Sequence, residues 1–303
     1  MKSVMRNVKM TLPELLAKKQ RGEKLTMLTA TDTPTGEWAD AAGVDIVLVG
    51  DSLGMTALGY PSTVQVTMRE MIHHAKAVRK GVQRALVVGD MPFMSFNTDP
   101  TSTVRNAGRF LKEAGCDSVK VEGGQGSPES LESVRLIAQA GIPVMGHLGL
   151  TPQTATRLGG YKLQGKTAEN ALALIAAAEQ LEKAGCFAVV LECVPDEVAR
   201  QVTERLSIPV IGIGAGPYCD GQVLVIHDLL GMTLGKKARF VRAFAGLRKT
   251  AVHAISEFKQ AVQTGTFPAQ TERYTMPEAE LSRFRQMIAQ GEKEKLIRIG
   301  RAH

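Results

Sequence analysis

Short apolar runs recur about eight times along this chain of 303 residues, and that recurrence limits its fold more than any other feature. Each run is rich in β-branched residues and apolar on both faces, which is typical of strands in a parallel sheet rather than a half-exposed antiparallel one. The predicted strands are 25–30, 45–49, 85–88, 118–121, 142–145, 188–191, 210–213 and 222–226.

Helical patterns fill most of the gaps between these runs, with clear examples at 100–114, 127–140 and 167–184. Three of them end in an Ala-Gly pair, with glycine at 115, 141 and 185, and a strand follows within a few residues. Glycine suits the left-handed cap at a helix C-terminus. Near the start of the chain, Thr11 and Glu14 around Pro13 predict a helix that begins with a capping box.

A strand–helix unit repeated in this way, with right-handed crossovers, predicts an α/β fold. A (β/α)8 TIM barrel is the simplest closure at this length, and an open doubly wound sheet is the alternative. No interdomain linker is evident. We predict a barrel domain over 1–268 that includes an N-terminal helix, and a partly exposed helical extension over 269–303, where the segment after Pro277 is more highly charged.

Composition excludes several classes of protein. Hydrophobic residues make up 44% of the chain and charged residues 22%, as in soluble globular proteins. The longest apolar run, 171–178, is less than half of a membrane span, and four cysteines without paired spacing indicate free thiols in a reducing cytoplasm. A net charge of +7 permits an anionic ligand. The sequence has no basic run with interleaved aromatic residues, so nothing in it indicates nucleic-acid binding.

Polar residues follow five consecutive predicted strands directly. In a barrel, catalytic residues lie at the C-terminal ends of the strands. A single acid at such a place could equally be a helix N-cap or a loop carboxylate, but an unbroken series at equivalent positions predicts a site. The residues are Asp51, Asp90, Glu122, His147 and Glu192.

Three of these carboxylates, those of Asp51, Asp90 and Glu122, come from neighbouring strands and are expected to converge. Without compensation they would repel one another and their pKa values would rise. A hard divalent cation is the usual remedy. Magnesium is favoured because the sequence offers no thiol or paired imidazole at these strand ends.

The remaining candidates have more than one interpretation. Glu192, one strand further round, could take the proton next to a metal-activated carbonyl. His147 is either a donor to a substrate oxyanion or a satisfied core histidine. Lys120 lies two residues before Glu122 and shares its face of the strand, so it is either a counter-ion for the acids or a Schiff-base former. The glycines at 212, 214 and 216 indicate an anion-binding loop or simply a tight turn.

Several long phrases of the sequence resemble the ketopantoate hydroxymethyltransferase family. Among them are Val-Gly-Asp-Ser-Leu-Gly-Met at 49–55, Val-Lys-Val-Glu-Gly-Gly at 119–124 and Gly-His-Leu-Gly-Leu-Thr-Pro-Gln at 146–153. Similar phrases lie at 63–67, 71–76, 90–94, 158–166, 191–195, 211–216, 219–225 and 227–231. The resemblance extends from about residue 11 to about residue 268.

The resemblance implies a (β/α)8 barrel of the phosphoenolpyruvate mutase/isocitrate lyase-like superfamily, assembled into large homo-oligomers, commonly decamers. It implies that Asp51, Asp90 and Glu122 bind one Mg²⁺ per subunit. It further implies that Ser52, Lys120, Asp51 and Asp90 bind the oxo acid. His147 would be the active-site histidine and Glu192 the base, with Lys120 counted among the catalytic residues.

The implied reaction transfers a hydroxymethyl group from 5,10-methylenetetrahydrofolate to 3-methyl-2-oxobutanoate through a Mg-stabilised enolate. The product is 2-dehydropantoate, an intermediate of pantothenate biosynthesis. The sequence itself contains no folate motif. Two alternatives stay open: a related metal-dependent aldolase or lyase for another 2-oxo acid, and a non-enzymatic folate or nucleic-acid binder.

One departure from the family pattern favours the first of these alternatives. Thr31 and Thr33 stand where the family usually has aromatic residues. Near the mouth of the barrel, this difference is expected to alter either a wall of the site or a subunit contact.

Overall fold

The computed structural model describes residues 8–123, 128–233, 235 and 238–300, without the side chains of 128, 129 and 292–300. Eight parallel strands form a closed barrel in sequential order, and the last strand pairs with the first. This closure confirms the predicted (β/α)8 barrel and rules out the open sheet. The strands are β1 (Leu25–Thr29), β2 (Ile46–Val49), β3 (Leu86–Asp90), β4 (Ser118–Glu122), β5 (Val144–Gly149), β6 (Cys186–Glu192), β7 (Val210–Ile213) and β8 (Gly221–Leu224).

Helices connect most of the strands, and the three clearest helix predictions are confirmed to within one residue at the ends that the structure describes. The predicted start at 127 lies outside the described residues. The helices are α1 (Leu12–Gln20), α2 (Thr33–Ala41), α3 (Leu53–Thr56), α4 (Met68–Gly81), α5 (Pro100–Ala114), α6 (Pro128–Gln139), α7 (Ala168–Lys183), α8 (Asp196–Arg205), α9 (Ile226–Leu229), α10 (Leu247–Gln263) and α11 (Glu278–Gly300).

The predicted helix ends follow the expected backbone chemistry with one exception. Gly115 caps α5 in the left-handed conformation, with φ of 71°. At the start of α1, Thr11 Oγ1 accepts a hydrogen bond from the backbone N–H of Glu14 at 3.4 Å. The Glu14 carboxylate, however, accepts from Arg21 at 2.8 Å. Only the Thr11 half of the predicted capping box is therefore seen.

Two clusters of buried apolar side chains hold the barrel together. One lies between the strands and the surrounding helices, and the other fills the barrel itself with side chains such as Ile46, Val88 and Met145. Leu15 of α1 belongs to the inner cluster and is only 1% exposed. Because α1 leads into the N-terminal end of β1, it covers that end of the barrel.

Strand register determines which polar groups meet at the opposite end. Asp90 of β3 is the register partner of Lys120 on β4, and Glu122 of β4 is the partner of His147 on β5. Neighbouring strands lie about 4.8 Å apart, so side chains on the same face of paired positions are in reach of one another.

Gly89 fixes the distance between β3 and α5 directly beside Asp90. A Cβ atom on Gly89 would lie 2.2 Å from Cδ1 of Phe110, so the ring packs on the bare backbone. We expect Gly89→Ala to lower the free energy of unfolding by about 1–3 kcal/mol through overpacking. Urea denaturation measures this change.

Gly108 on the same helix, α5, provides a matched control because nothing lies within 4 Å of a Cβ atom built there. Gly108→Ala should raise the free energy of unfolding by up to about 1 kcal/mol, the difference in helix propensity. Equal effects of the two substitutions would show that the Phe110 contact does not limit residue 89.

The chain divides into two compact units, 1–248 and 249–303. The first contains the whole barrel. In the second, α11 forms the helix that was predicted after Pro277, whereas the predicted domain boundary after Pro268 stays a prediction. Across the described ranges, no helix combines the length and apolar character needed to cross a membrane.

Candidate active site

One cavity at the C-terminal end of the barrel brings all of the predicted site residues together. Its volume is about 1100 Å³. The predicted residues in its lining are Asp51, Ser52, Asp90, Lys120, Glu122, His147 and Glu192. The polar residues at the strand ends therefore predicted the cavity correctly, and Ser52, which the family resemblance added, lies in it directly after Asp51.

Lys120 lies at the centre of the acidic side chains. Its Nζ is 2.7 Å from Asp90 Oδ1, 3.7 Å from Glu122 Oε1 and 3.3 Å from His147 Nδ1. Burial alone would lower the pKa of Lys120, but the charges of Asp90, Glu122 and Asp51 raise it well above its ordinary value. A protonated amine cannot attack a carbonyl, so this environment favours the counter-ion interpretation over the Schiff base.

The three predicted metal acids are buried and carry more charge than Lys120 can balance. Burial raises the pKa of Asp51 well above its usual value, and the charges of Asp90 and Glu122 add to that rise. Burial also raises the pKa of Asp90 despite the nearby Lys120. Burial would do the same to Glu122, but Lys120 and His147 hold the pKa of that carboxyl below its usual value.

The donor chemistry of Asp51, Asp90 and Glu122 suits a hard divalent cation, because all three offer carboxylate oxygens in a buried place with excess negative charge. As the side chains stand, no group of three or more His, Cys, Asp or Glu residues in the described part of the chain is spaced to hold a metal ion. The carboxylates accept from, or lie beside, donors of the protein. Their role as metal ligands stays a prediction.

Gln153 is one of these donors, and sequence reasoning did not select it. Its Nε2 donates to Asp51 Oδ2 and to the carbonyl of Met91, both at 2.9 Å. Its backbone N–H donates to Glu122 Oε2 at 3.0 Å. Gln153 lies in a short 3₁₀ turn after β5, at the end of the phrase 146–153. Its place in a phrase shared with the family could have pointed to Gln153, but only the folded barrel shows that its amide reaches Asp51.

His147 connects the buried acids to Glu192. Its Nδ1 lies 3.4 Å from Glu122 Oε1, and its Nε2 lies 3.3 Å from Glu192 Oε2. The second contact is one of charge, because the two atoms are not aligned as a hydrogen bond. Burial and Lys120 lower the pKa of His147, but the two glutamates outweigh them and raise it above its ordinary value.

Glu192 is the most accessible of the five strand-end residues. Its side chain is 16% exposed, whereas the side chains of Asp90 and Glu122 are 2% and 3% exposed. It can therefore meet a ligand without displacing a partner from the acid cluster.

Neither Thr31 nor Thr33 appears in the described lining of the cavity. Thr33 Oγ1 donates to the carbonyl of Ala77 on α4 at 2.8 Å, outside the barrel. The backbone N–H of Thr31 donates to Thr35 Oγ1 at 3.0 Å. These contacts tie the start of α2 to the neighbouring turn and to α4, and the effect of the smaller side chains on the wall of the site stays a prediction. The subunit-contact alternative stays open.

The glycines after β7 are explained by close packing. A Cβ atom on Gly214 would lie 2.6 Å from Phe240 Cδ1, and one on Gly216 would lie 2.3 Å from Asp196 Cβ. Both glycines also have positive φ, at 62° and 75°. The tight-turn interpretation accounts for them, and the anion loop stays a prediction.

Solved structures of other proteins share the fold of this chain. Phosphoenolpyruvate phosphomutase from Streptomyces platensis subsp. rosaceus matches with a TM-score of 0.56 at 16% identity, over 94% of this chain and 98% of the other. 2,3-Dimethylmalate lyase, described as a PEP mutase/isocitrate lyase superfamily member, matches with a TM-score of 0.55 at 16% identity, over 94% and 98%. At this identity they support the barrel fold alone, and the superfamily stays a prediction.

Similarity of sequence is more specific than similarity of fold. Residues 9–270 match the family model for ketopantoate hydroxymethyltransferase. The chain is also 52% identical to the 3-methyl-2-oxobutanoate hydroxymethyltransferase of Syntrophomonas wolfei subsp. wolfei, over 91% of this chain and 99% of that protein. The chain therefore belongs to the ketopantoate hydroxymethyltransferase family and is an enzyme, a hydroxymethyl-group transferase.

Proposed function

We propose that this enzyme transfers a hydroxymethyl group from 5,10-methylenetetrahydrofolate to 3-methyl-2-oxobutanoate and forms 2-dehydropantoate for pantothenate biosynthesis. The observation that carries the proposal is the single cavity that seven predicted residues line together. It combines a buried acid cluster, a protonated lysine and an accessible carboxylate, and these groups can hold a 2-oxo acid and take a proton from it.

The proposed cofactor is one Mg²⁺ ion per subunit, held by Asp51, Asp90 and Glu122. The raised pKa of Asp51 supports this assignment, because burial and the charges of Asp90 and Glu122 disfavour the ionised carboxylate, which a bound cation would stabilise. When bound, Mg²⁺ would polarise the 2-oxo group of the substrate and so acidify the proton at C3.

The protein residues have separate roles in the proposed reaction. The Lys120 ammonium and the Ser52 hydroxyl hold the substrate carboxylate by charge-assisted hydrogen bonds. Glu192 removes the proton from C3, and the resulting C3 carbanion forms a bond to the methylene carbon of the folate. One of the two carbon–nitrogen bonds of that methylene breaks as the carbon–carbon bond forms, and water, which supplies the hydroxyl oxygen, then replaces the second nitrogen. The two folate nitrogens take up the C3 proton, passed on by Glu192, and the remaining proton of the water, and tetrahydrofolate leaves. His147 lies beside Glu192 and stabilises the negative charge of that carboxylate before proton transfer.

Deuterium exchange at C3 of 3-methyl-2-oxobutanoate tests the proposal in two stages. Exchange in D₂O should require Mg²⁺ and should proceed without folate, because proton removal precedes carbon–carbon bond formation. Adding 5,10-methylenetetrahydrofolate should then yield 2-dehydropantoate. A folded protein that binds Mg²⁺ but catalyses no exchange would exclude this oxo acid as its substrate.

The alternative of an aldolase or lyase for another 2-oxo acid was based on Thr31 and Thr33. It stays open, because small side chains that do not line the described cavity are compatible with a wider site. A homo-oligomeric state, commonly decameric in the family, and a cytoplasmic location remain predictions from the sequence.

A further inference from the structure

Gln153 donates hydrogen bonds to two of the three carboxylates that we propose as metal ligands, those of Asp51 and Glu122. It is 4% exposed and lines a smaller cavity of about 540 Å³ that Glu122 also borders. We propose that Gln153 is a positioning residue, which orients Asp51 and Glu122 for binding of a divalent cation. This inference rests on the proposed function and assigns a role to a residue outside the predicted site.

The orientation of the Gln153 amide is fixed by the groups around its nitrogen. Nε2 carries two hydrogens, and it has two acceptors, Asp51 Oδ2 and the Met91 carbonyl, each at 2.9 Å. A flipped amide would place an oxygen against these two oxygens. The side chain therefore holds one oxygen of the Asp51 carboxylate and ties it to the segment that follows β3.

The backbone of the same residue holds the second acid. The N–H of Gln153 donates to Glu122 Oε2 at 3.0 Å, while Glu122 Oε1 faces Lys120 and His147. The two oxygens of this carboxylate thus have different partners. One residue on the loop after β5 sets the rotation of acids that follow β2 and end β4.

The oxygen of the Gln153 amide has no contact comparable to those of its nitrogen. Gln153 Oε1 is buried and lacks a hydrogen-bond partner within the described residues. The contacts of Nε2 therefore hold the side chain in place. Partners that orient metal ligands in this way typically account for about 10- to 100-fold in metal affinity or activity.

Gln153→Met tests the side-chain contact alone. Methionine has a similar length and volume but donates no hydrogen bond, and the backbone N–H to Glu122 remains. We expect the Kd for Mg²⁺, measured by isothermal titration calorimetry, to rise by about 10- to 100-fold. The Mg²⁺ concentration needed for half-maximal C3 exchange should rise in parallel.

Gln164→Met is the matched control. Gln164 lines the same smaller cavity, but its Nε2 donates to the carbonyl of Lys162 at 2.9 Å. Its substitution should leave the Kd for Mg²⁺ within about twofold of that of the unaltered chain. Gln153→Asn keeps an amide that is one methylene too short to reach Asp51, and it should weaken Mg²⁺ binding in the same direction as methionine. It provides the test should Gln153→Met not fold.

The outcomes distinguish a positioning role of Gln153 from a contribution to stability alone. If Gln153→Met lowers the thermal midpoint without Mg²⁺ but binds the ion as tightly as the unaltered chain, the residue only stabilises the fold and the inference is wrong. If the unaltered chain does not bind Mg²⁺, the metal of the proposed function fails and the role of Gln153 fails with it. Normal binding by the unaltered chain and weaker binding by both Gln153 variants would support the inference.

Discussion

Replacing Glu192 by glutamine should lower turnover by at least about 100-fold, the contribution expected of a general base. Glutamine has the shape of the glutamate but cannot take a proton from C3. The buried acid cluster is left intact, because Glu192 contacts His147 rather than Asp51 or Asp90. Binding of Mg²⁺ and of the oxo acid should therefore change little. Steady-state kinetics and calorimetry measure the two effects separately.

A glutamate on the outside of the barrel gives the control for this substitution. Glu197 on α8 forms an exposed ion pair with Arg200 at 2.7 Å. Glu197→Gln should leave turnover unchanged, since surface ion pairs contribute little. Near-normal rates in Glu192→Gln would mean that another group removes the C3 proton, and the base assignment would have to be abandoned.

Asp90→Asn should instead act on the metal. Asp90 is the most deeply buried of the three acids, and it receives the backbone N–H of Asp51 at 3.1 Å as well as the Lys120 ammonium. Asparagine removes the charge and one of the oxygens. Loss of a residue that only orients a metal ligand typically costs about 10- to 100-fold in affinity. Loss of a ligand itself should raise the Kd for Mg²⁺ by at least that factor.

Asp99 offers a matched aspartate outside the site. It caps α5 by accepting the backbone N–H of Ser102 at 2.9 Å, and asparagine caps helices equally well. Asp99→Asn should therefore leave both stability and Mg²⁺ binding unchanged. An unaltered Mg²⁺ titration in Asp90→Asn would remove Asp90 from the proposed ligands.

The strands could be predicted from sequence because a parallel barrel makes simple demands on it. Most strand positions are buried on both faces, so the runs are largely apolar, and the polar residues that end five of them mark the mouth of the barrel. The two-residue spacing of Lys120 and Glu122 also placed them correctly on one face of β4. Such inferences need only the period of the backbone and the order of the strands.

The contacts made by loop residues could not be predicted from the sequence. The amide of Gln153 reaches Asp51, a residue 102 positions earlier, because a short turn after β5 folds back over the strand ends. Thr31 and Thr33 lie near the end of β1, but their hydrogen bonds tie the start of α2 rather than the cavity. For Gln153 the direction of a side chain on a loop decided its contacts, and no periodic pattern specifies that direction.

The position of Lys120 has a consequence for how the enzyme is made. Three acids buried together with no cation near them would oppose folding, because each would lose its hydration without gaining a partner. The ammonium of Lys120 comes from the same strand as Glu122 and arrives with it as the barrel closes. The polypeptide thus brings one positive charge of its own to the site, which lowers the electrostatic cost of burying the acids before a metal ion binds, whereas folding of small zinc domains waits for the metal.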